Sequence, residues 1–301
     1  MKTLIAGNLN PTAEELEALR QLGLEITLQP DETQIVDHPE QYEAIVCNFL
    51  FQNNPFESFK NLKYLQLLSA GKDRVPLDYI AAHGITLHNA HGVYSVPMAE
   101  WTVMAILEVC KHASDAHKKQ QAHRFQKDRS WLELAGKRAC IIGFGAYGQE
   151  TAKRLKAFDV SVTVVNRTER PSPFVDTYRP LDAMAEAVAE ADLVISCIAL
   201  TDKTRHLFDA DFFAGMKDGA IFVNAARGAL VDEPALIAAL ESGKLYGAAL
   251  DVSEKEPLPA DDPLWDAPNL VYYPHNSFVG EGNHKRLFET VYRNLKERKT
   301  W

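Results

Sequence analysis

The 301-residue sequence has little of anything that would take it outside the ordinary globular class. Cysteine is scarce. Cys47, Cys110, Cys140 and Cys197 stand singly in apolar settings with no CxxC pair, which argues against a disulfide framework and against a zinc site, so no metal is expected. Long apolar runs are also missing: the stretch 103–110 is interrupted by Glu108, and residues 1–7 are too short an apolar segment for a secretion signal. A cytoplasmic location and no membrane partner are the resulting expectations. No block of like charge exists either, and 32 basic against 41 acidic side chains leave a net charge of −9, which makes a nucleic-acid partner unexpected. With 46% hydrophobic and 24% charged residues, the composition excludes disorder and points to packed cores.

A chain of this length suits two cores better than one, and two domains imply a cleft. The first part alternates short β-rich runs at 3–6, 25–28, 44–47, 64–67 and 85–88 with helical stretches at 12–22 and 76–83. That alternation predicts a small parallel-sheet α/β domain. From Pro97 to about His123 there is no glycine and no internal proline, and Met98, Trp101, Met104, Ala105, Leu107 and Val109 are apolar, so one long linking helix is expected. A second α/β series follows, with strands expected at 139–142, 160–165, 193–197, 220–224, 247–251 and 270–273. The segment 167–180 reads as a loop, and 283–299 as a terminal helix that packs back on the first domain.

Chemistry enters with Gly143-Phe144-Gly145-Ala146-Tyr147-Gly148, a G-x-G-x-x-G between an apolar strand and a helical run. Gly143 allows the tight turn, Gly145 lets backbone amides approach a pyrophosphate, and Gly148 permits close helix–strand packing with the phosphate at the positive helix end. A further strand at βαβ distance strengthens dinucleotide binding over a structural glycine turn. The tip of that strand carries Asn166-Arg167-Thr168, where an NAD-binding chain usually places an acid for the ribose hydroxyls. A neutral amide does not repel a 2′-phosphate and a guanidinium can pair with it, so NADP(H) is the expected cofactor, with NAD as the second choice. The competing reading of Arg167 is a solvated side chain just past a strand.

Three further candidates follow three successive predicted strands: Arg227, Glu256 and His275. In a parallel sheet they share the C-terminal edge, where ligands bind. Reducing a 2-oxo acid needs a cation for the carboxylate and carbonyl oxygen and an acid that protonates that oxygen as hydride reaches carbon. Arg227 and His275 suit those tasks, while Glu256 would fix the imidazole tautomer and favour the imidazolium. Taken singly, each has a plain alternative: a turn-capping arginine, a solvated acid before Pro257, a satisfied histidine after Pro274. Their common edge favours the catalytic reading.

At these residues the chain resembles the D-isomer-specific 2-hydroxyacid dehydrogenase family, through 143–148, Asn224-Ala225-Ala226-Arg227-Gly228-Ala229-Leu230-Val231-Asp232-Glu233, Leu250-Asp251-Val252-Ser253-Glu254-Lys255-Glu256-Pro257-Leu258 and Pro274-His275. The resemblance implies an α/β protein with a Rossmann cofactor domain, 101–276, inserted in a smaller flavodoxin-like substrate domain, 1–100 and 277–301. It implies catalytic roles for Arg227, Glu256 and His275, and cofactor contacts from Gly143, Gly145, Ala146, Tyr147, Gly148, Asn166, Arg167, Thr168, Cys197, Ala199, Ala225 and Asp251. Asp251 would face the nicotinamide carboxamide, unless it simply caps the next loop as a strand-end acid. Backbone amides at Ala70 and Gly71, in Ser69-Ala70-Gly71, would join Arg227 and His275 in holding the substrate, against the reading of a bare tight turn. A homodimer paired through the long helix is also implied.

Three positions depart from the family's usual pattern: Ala146 for an arginine, Ala199 for a proline, and Lys72 for an apolar or aromatic residue. The first two bear on phosphate and adenine contacts. Lys72 would favour acids with a polar or second anionic group, or it points into water. The expected activity is hydride transfer between NAD(P)(H) and a small 2-oxo or 2-hydroxy acid. The alternative from another class is a dinucleotide-sensing regulatory protein on the same fold.

Overall fold

The computed structural model describes residues 1–297 and separates into two compact units, Met1–Tyr94 with the segment from Gly280, and Ser95–Val279. In the first, β1 (Lys2–Ala6), β2 (Glu25–Gln29), β3 (Ala44–Cys47), β4 (Tyr64–Leu67) and β5 (Thr86–His88) form a parallel sheet in the order β2-β1-β3-β4-β5. The fully buried runs of β3 and β4 explain why they read as continuous apolar segments, since helices or loops cover both faces of a parallel sheet. Helix α1 (Ala13–Arg20) starts at a capping box in which Thr12 and Glu15 satisfy each other's backbone amides, and α2 (Leu77–Ala82) begins after Pro76.

The second unit opens with α3 (Ser95–Lys111) and α4 (Ala113–Gln121). Here the expected single helix is interrupted. His112 takes a left-handed backbone, φ +46°, its Nδ1 lies 3.0 Å from Asp128 Oδ2, and its Nε2 lies 2.8 Å from the hydroxyl of Tyr246. Side-chain partners distant in sequence stop the helix at a position where local propensity favours continuing it. The apolar face of α3, including Trp101, Ala105, Ile106 and Val109, is buried in this unit's own core.

The sheet of this unit contains β6 (Arg138–Ile142), β7 (Ser161–Val165), β8 (Thr177–Arg179), β9 (Leu193–Ser196), β10 (Ala220–Asn224), β11 (Leu245–Leu250) and β12 (Leu270–Tyr272). All pairings are parallel and the order is β12-β11-β10-β9-β6-β7-β8. The short edge strand β8 lies inside the stretch expected to be a loop. Its three residues pair with Thr163, Val164 and Val165, a partnership too brief to leave a periodic signal. Around the sheet lie α5 (Ala146–Lys156), α6 (Met184–Ala189), α7 (Ala210–Gly215) and α8 (Glu233–Glu241).

The last described helix, α9 (Asn283–Lys296), belongs to the first unit, where Leu287, Val291 and Leu295 join Ile5, Leu19 and Val46 in one core. The end of the expected helix, 298–299, falls outside the described residues. No described helix is long and apolar enough to cross a membrane.

Strand order β9-β6-β7 makes the gap between β6 and β9 the switch point of the second sheet, because the chain leaves β6 in one direction and later returns to its other side. The glycines meet there. Gly143 has φ +94° and a Cβ on it would lie 2.6 Å from the carbonyl oxygen of Cys197, while a Cβ on Gly148 would lie 2.5 Å from the carbonyl oxygen of Gly143. Around Gly145 nothing lies within 4 Å of such an atom. Gly148→Ala is therefore expected to lower stability by about 1–3 kcal/mol through backbone crowding, whereas Gly145→Ala stays within about 1 kcal/mol of the parent; urea unfolding of the two variants checks the contrast.

Candidate active site

Neighbouring parallel strands β10, β11 and β12 deliver Arg227, Glu256 and His275 to one edge of the second unit's sheet. His275 Nδ1 and Glu256 Oε2 are 2.7 Å apart, within the range of a charge-assisted hydrogen bond. That contact uses Nδ1 and leaves Nε2 as the ring's other proton-bearing atom. The second carboxylate oxygen, Oε1, accepts from the backbone N–H of Ser253 at 3.3 Å. Burial pushes the Glu256 carboxyl up, but the hydrogen bond and charge of His275, the Ser253 amide and the Arg227 guanidinium outweigh it and leave the group below its ordinary value. The same balance places Arg227 within electrostatic reach of Glu256. One Arg227 nitrogen, Nη1, also donates to the carbonyl of Ala226 at 2.8 Å.

His275 stands on an unusual backbone. Its φ is +53°, a left-handed conformation that costs a non-glycine residue about 1–2 kcal/mol. Asp251, fully buried at the end of β11, offsets that strain. Its backbone carbonyl accepts from His275 N at 2.7 Å, and its carboxylate accepts from Asn276 N at 2.8 Å and from Ser277 N at 3.0 Å. Burial pushes the Asp251 carboxyl up, against the lowering effect of Ser277, Asn276 and His275. Asp251 thus grips the next turn from the end of β11.

Of the residues expected around a dinucleotide, Ala146 opens α5 with Gly145 as its N-cap, so the first amides of an eleven-residue helix face the turn. Tyr147 points inward: its hydroxyl lies 2.7 Å from Thr102 Oγ1, which itself donates to Met98 O, so the tyrosine donates and its ring packs on the core. Cys197 lies under the turn, and burial pushes its thiol up. The Ala199 carbonyl accepts from Thr204, and Ala225 is buried beyond β10. At the tip of β7, Asn166 folds back to donate to the Thr168 carbonyl at 2.7 Å, and Arg167 is exposed with no ion-pair partner among the described residues. An open position at Gly145, a crowded one at each flanking glycine and a helix start beyond them fit a pyrophosphate. The distance along the edge from β6 to β12, four strand spacings or about 19 Å, asks for a ligand as long as a dinucleotide if both ends are to be used.

In the first unit, Ser69-Ala70-Gly71 follows β4. Asn89 Nδ2 donates to Ala70 O at 2.5 Å and Ser69 Oγ to Gly71 O at 2.9 Å, which satisfies the turn's carbonyls. The amide groups of Ala70, Gly71 and Lys72 donate to no acceptor among the described residues. Lys72 is exposed. Burial, and then the Lys72 ammonium, hold the His88 imidazole below its ordinary value against the charge of Glu297. No group of three or more metal-ligating side chains occurs among the described residues.

Two residues not singled out from the sequence complete the edge. A Cβ on Gly228 would overlap the carbonyl carbon of Ser253, so only glycine lets the Arg227 turn lie against the Glu256 loop. The signal was there in part: a glycine directly follows the candidate arginine. Nothing comparable marks Ser253.

The family model for the NAD-binding domain of D-isomer-specific 2-hydroxyacid dehydrogenases matches residues 103–277. A D-3-phosphoglycerate dehydrogenase of Archaeoglobus fulgidus is 34% identical over 293 residues, covering 91% of this chain, which spans only about half (53%) of that relative's length. A hydroxypyruvate reductase of Blautia hydrogenotrophica is 28% identical over 305 residues, with 96% of this chain and 93% of the relative covered. Among solved structures, an NADPH-dependent glyoxylate/hydroxypyruvate reductase from Sinorhizobium meliloti superposes with a TM-score of 0.80 at 26% identity, over 98% of this chain and 94% of that one.

The depressed Glu256 carboxyl carries a linkage consequence. A group whose pKa is lower folded than unfolded stabilises the fold above its ordinary value, here 4.5, and loses that contribution as pH falls through the depressed value. Urea unfolding should find the parent more stable than Glu256→Gln from pH 5 to neutrality, with the difference vanishing in stronger acid; a difference that grows on acidification would contradict the assignment.

Proposed function

The chain belongs to the D-isomer-specific 2-hydroxyacid dehydrogenase family, and on that premise we propose that it interconverts a small 2-oxo acid and the corresponding 2-hydroxy acid with NAD(P)(H). The observation that carries the reading is the 2.7 Å pair of His275 and Glu256 on the sheet edge that also bears the glycine turn. Residues 143–148 would hold the dinucleotide, whose nicotinamide would supply or take the hydride. The remaining tasks fall to side chains. His275, its Nδ1 committed to Glu256, gives a proton from Nε2 to the C2 oxygen in reduction and takes it back in oxidation. Glu256 compensates the imidazolium, and Arg227 holds the substrate carboxylate and draws charge onto the carbonyl oxygen. In the first unit, the turn at Ala70 and Gly71 is assigned to carboxylate binding through its backbone amides. Asp251 lies toward the nicotinamide carboxamide, and Ala146, Tyr147, Cys197, Ala199 and Ala225 line the dinucleotide, Tyr147 through its backbone.

In this reading the first unit is the substrate domain and the second the cofactor domain. Names of relatives that reduce glyoxylate and hydroxypyruvate support a two- or three-carbon acid. NADPH is the preferred cofactor and NADH the second, supported by Asn166 and the exposed Arg167 at the tip of β7. The protein works in the cytoplasm as a homodimer paired through α3 and α4. With most of α3 buried in its own unit, the support for pairing comes from exposed Met104 on α3 and from Phe125 and Trp131 in the segment after α4, Phe125 almost completely exposed at 97%.

Purified protein with NADPH or NADH and glyoxylate, hydroxypyruvate, pyruvate or phenylpyruvate tests the reaction. His275→Ala should lose at least 100-fold in turnover, roughly the contribution of a positioned acid, while binding NADPH as before; near-normal turnover would remove the assigned acid. NADPH should exceed NADH in kcat/KM by roughly tenfold to a hundredfold, the worth of one shielded charge-assisted pair. Equal use of NADH would mean that Arg167 serves only solvation. Light scattering should return twice the 33.6 kDa chain mass, and a single-chain mass across a wide concentration range would exclude the dimer.

A further inference from the structure

The Glu256 loop has its own support, and it does not come from the catalytic residues. Ser253, buried, lies three positions before Glu256, and its hydroxyl donates to the carbonyl of Lys255 at 2.7 Å. A serine hydroxyl has one proton, so the contact between Ser253 Oγ and the hydroxyl of Tyr272, 3.0 Å, is a bond in which Tyr272 donates. Tyr272 sits on β12, three residues before His275. Its ring packs edge-on against Trp265 at 5.1 Å, and the Trp265 indole N–H donates to Pro259 O at 2.7 Å, closing the far side of the same loop. The backbone amide of Ser253 meets Glu256 Oε1, and its carbonyl carbon abuts Gly228, next to Arg227. One buried serine is therefore in contact with the turn of Arg227, the loop of Glu256 and the strand that precedes His275.

We infer that Ser253, fixed by the hydroxyl of Tyr272, is a positioning residue that sets the Glu256 carboxylate against the His275 imidazole. The inference rests on the proposed roles of Glu256 and His275 in proton transfer, and it goes beyond them by naming what keeps the pair in register. Without the Tyr272 bond the Ser253 hydroxyl is free to turn from Lys255, the 253–256 turn loosens, and Oε1 loses its amide donor. The carboxyl then moves up toward the ordinary glutamate value and the imidazole loses its aligned partner.

Two substitutions test this, Ser253→Ala and Tyr272→Phe, the latter leaving the ring against Trp265 and removing only the hydroxyl. Three readouts are taken: the carboxyl titration of Glu256 by 13C NMR, assigned with Glu256→Gln; kcat with glyoxylate and hydroxypyruvate; and the dissociation constant of NADPH. The expected result in both variants is an upward move of the Glu256 midpoint and a fall in kcat of roughly ten- to a hundredfold, with NADPH binding unchanged. An unmoved Glu256 midpoint in both variants overturns the inference, whether kcat holds or falls together with NADPH binding. If the unmodified protein reduces neither acid, the proposed reaction fails, while the Glu256 titration still decides the positioning role.

Discussion

The buried carboxylate of Asp251 holds the turn on which His275 stands. It lies at the end of β11, the strand between those that precede Arg227 and His275, and gathers the amides of Asn276 and Ser277 while its own carbonyl receives His275 N. Such a carboxylate is tolerable in the interior because nearly all its lone pairs are used. The left-handed backbone of His275 follows from that grip, and the 2.7 Å contact with Glu256 follows from the backbone. The geometry of the edge is thus set beneath the surface, by a residue whose structural work is complete before any ligand arrives.

Parallel strands make the rest of the arrangement economical. Each strand ends at the same edge, so residues 143–148, 227, 256 and 275, far apart in sequence, share one rim. The two ends of that rim differ in kind. At the β6–β9 switch point the chain offers glycines and a helix start, which suit phosphate; from β10 to β12 it offers a guanidinium, a carboxylate and an imidazole, which suit proton transfer and anion binding.

Those features were legible in the sequence because each is local: glycines at fixed spacing after an apolar strand, and charged residues just past strand ends. Apart from β8, the strands of both sheets are recovered to within a residue or two, most clearly where buried parallel strands such as β3, β4, β9 and β10 are nearly uninterrupted apolar runs. What escaped depends on distant partners. His112 ends α3 through Asp128 and Tyr246, and β8 exists because β7 lies beside it, so neither leaves a mark in its own segment. Ser253 escaped similarly, since its importance lies in Tyr272 and Gly228, neither within ten residues of it in sequence. The inward Tyr147 shows the converse: a motif position need not aim its side chain at the ligand.

In the proposed reaction one proton moves between His275 and the C2 oxygen as hydride moves to or from carbon. Measuring kcat/KM against pH in both directions on the unmodified protein tests it most directly. Reduction should fall and oxidation rise as pH increases, with both limbs absent from His275→Ala. Profiles that rise or fall together in the two directions would contradict it, because the group titrating would then be one that both reactions need in the same protonation state.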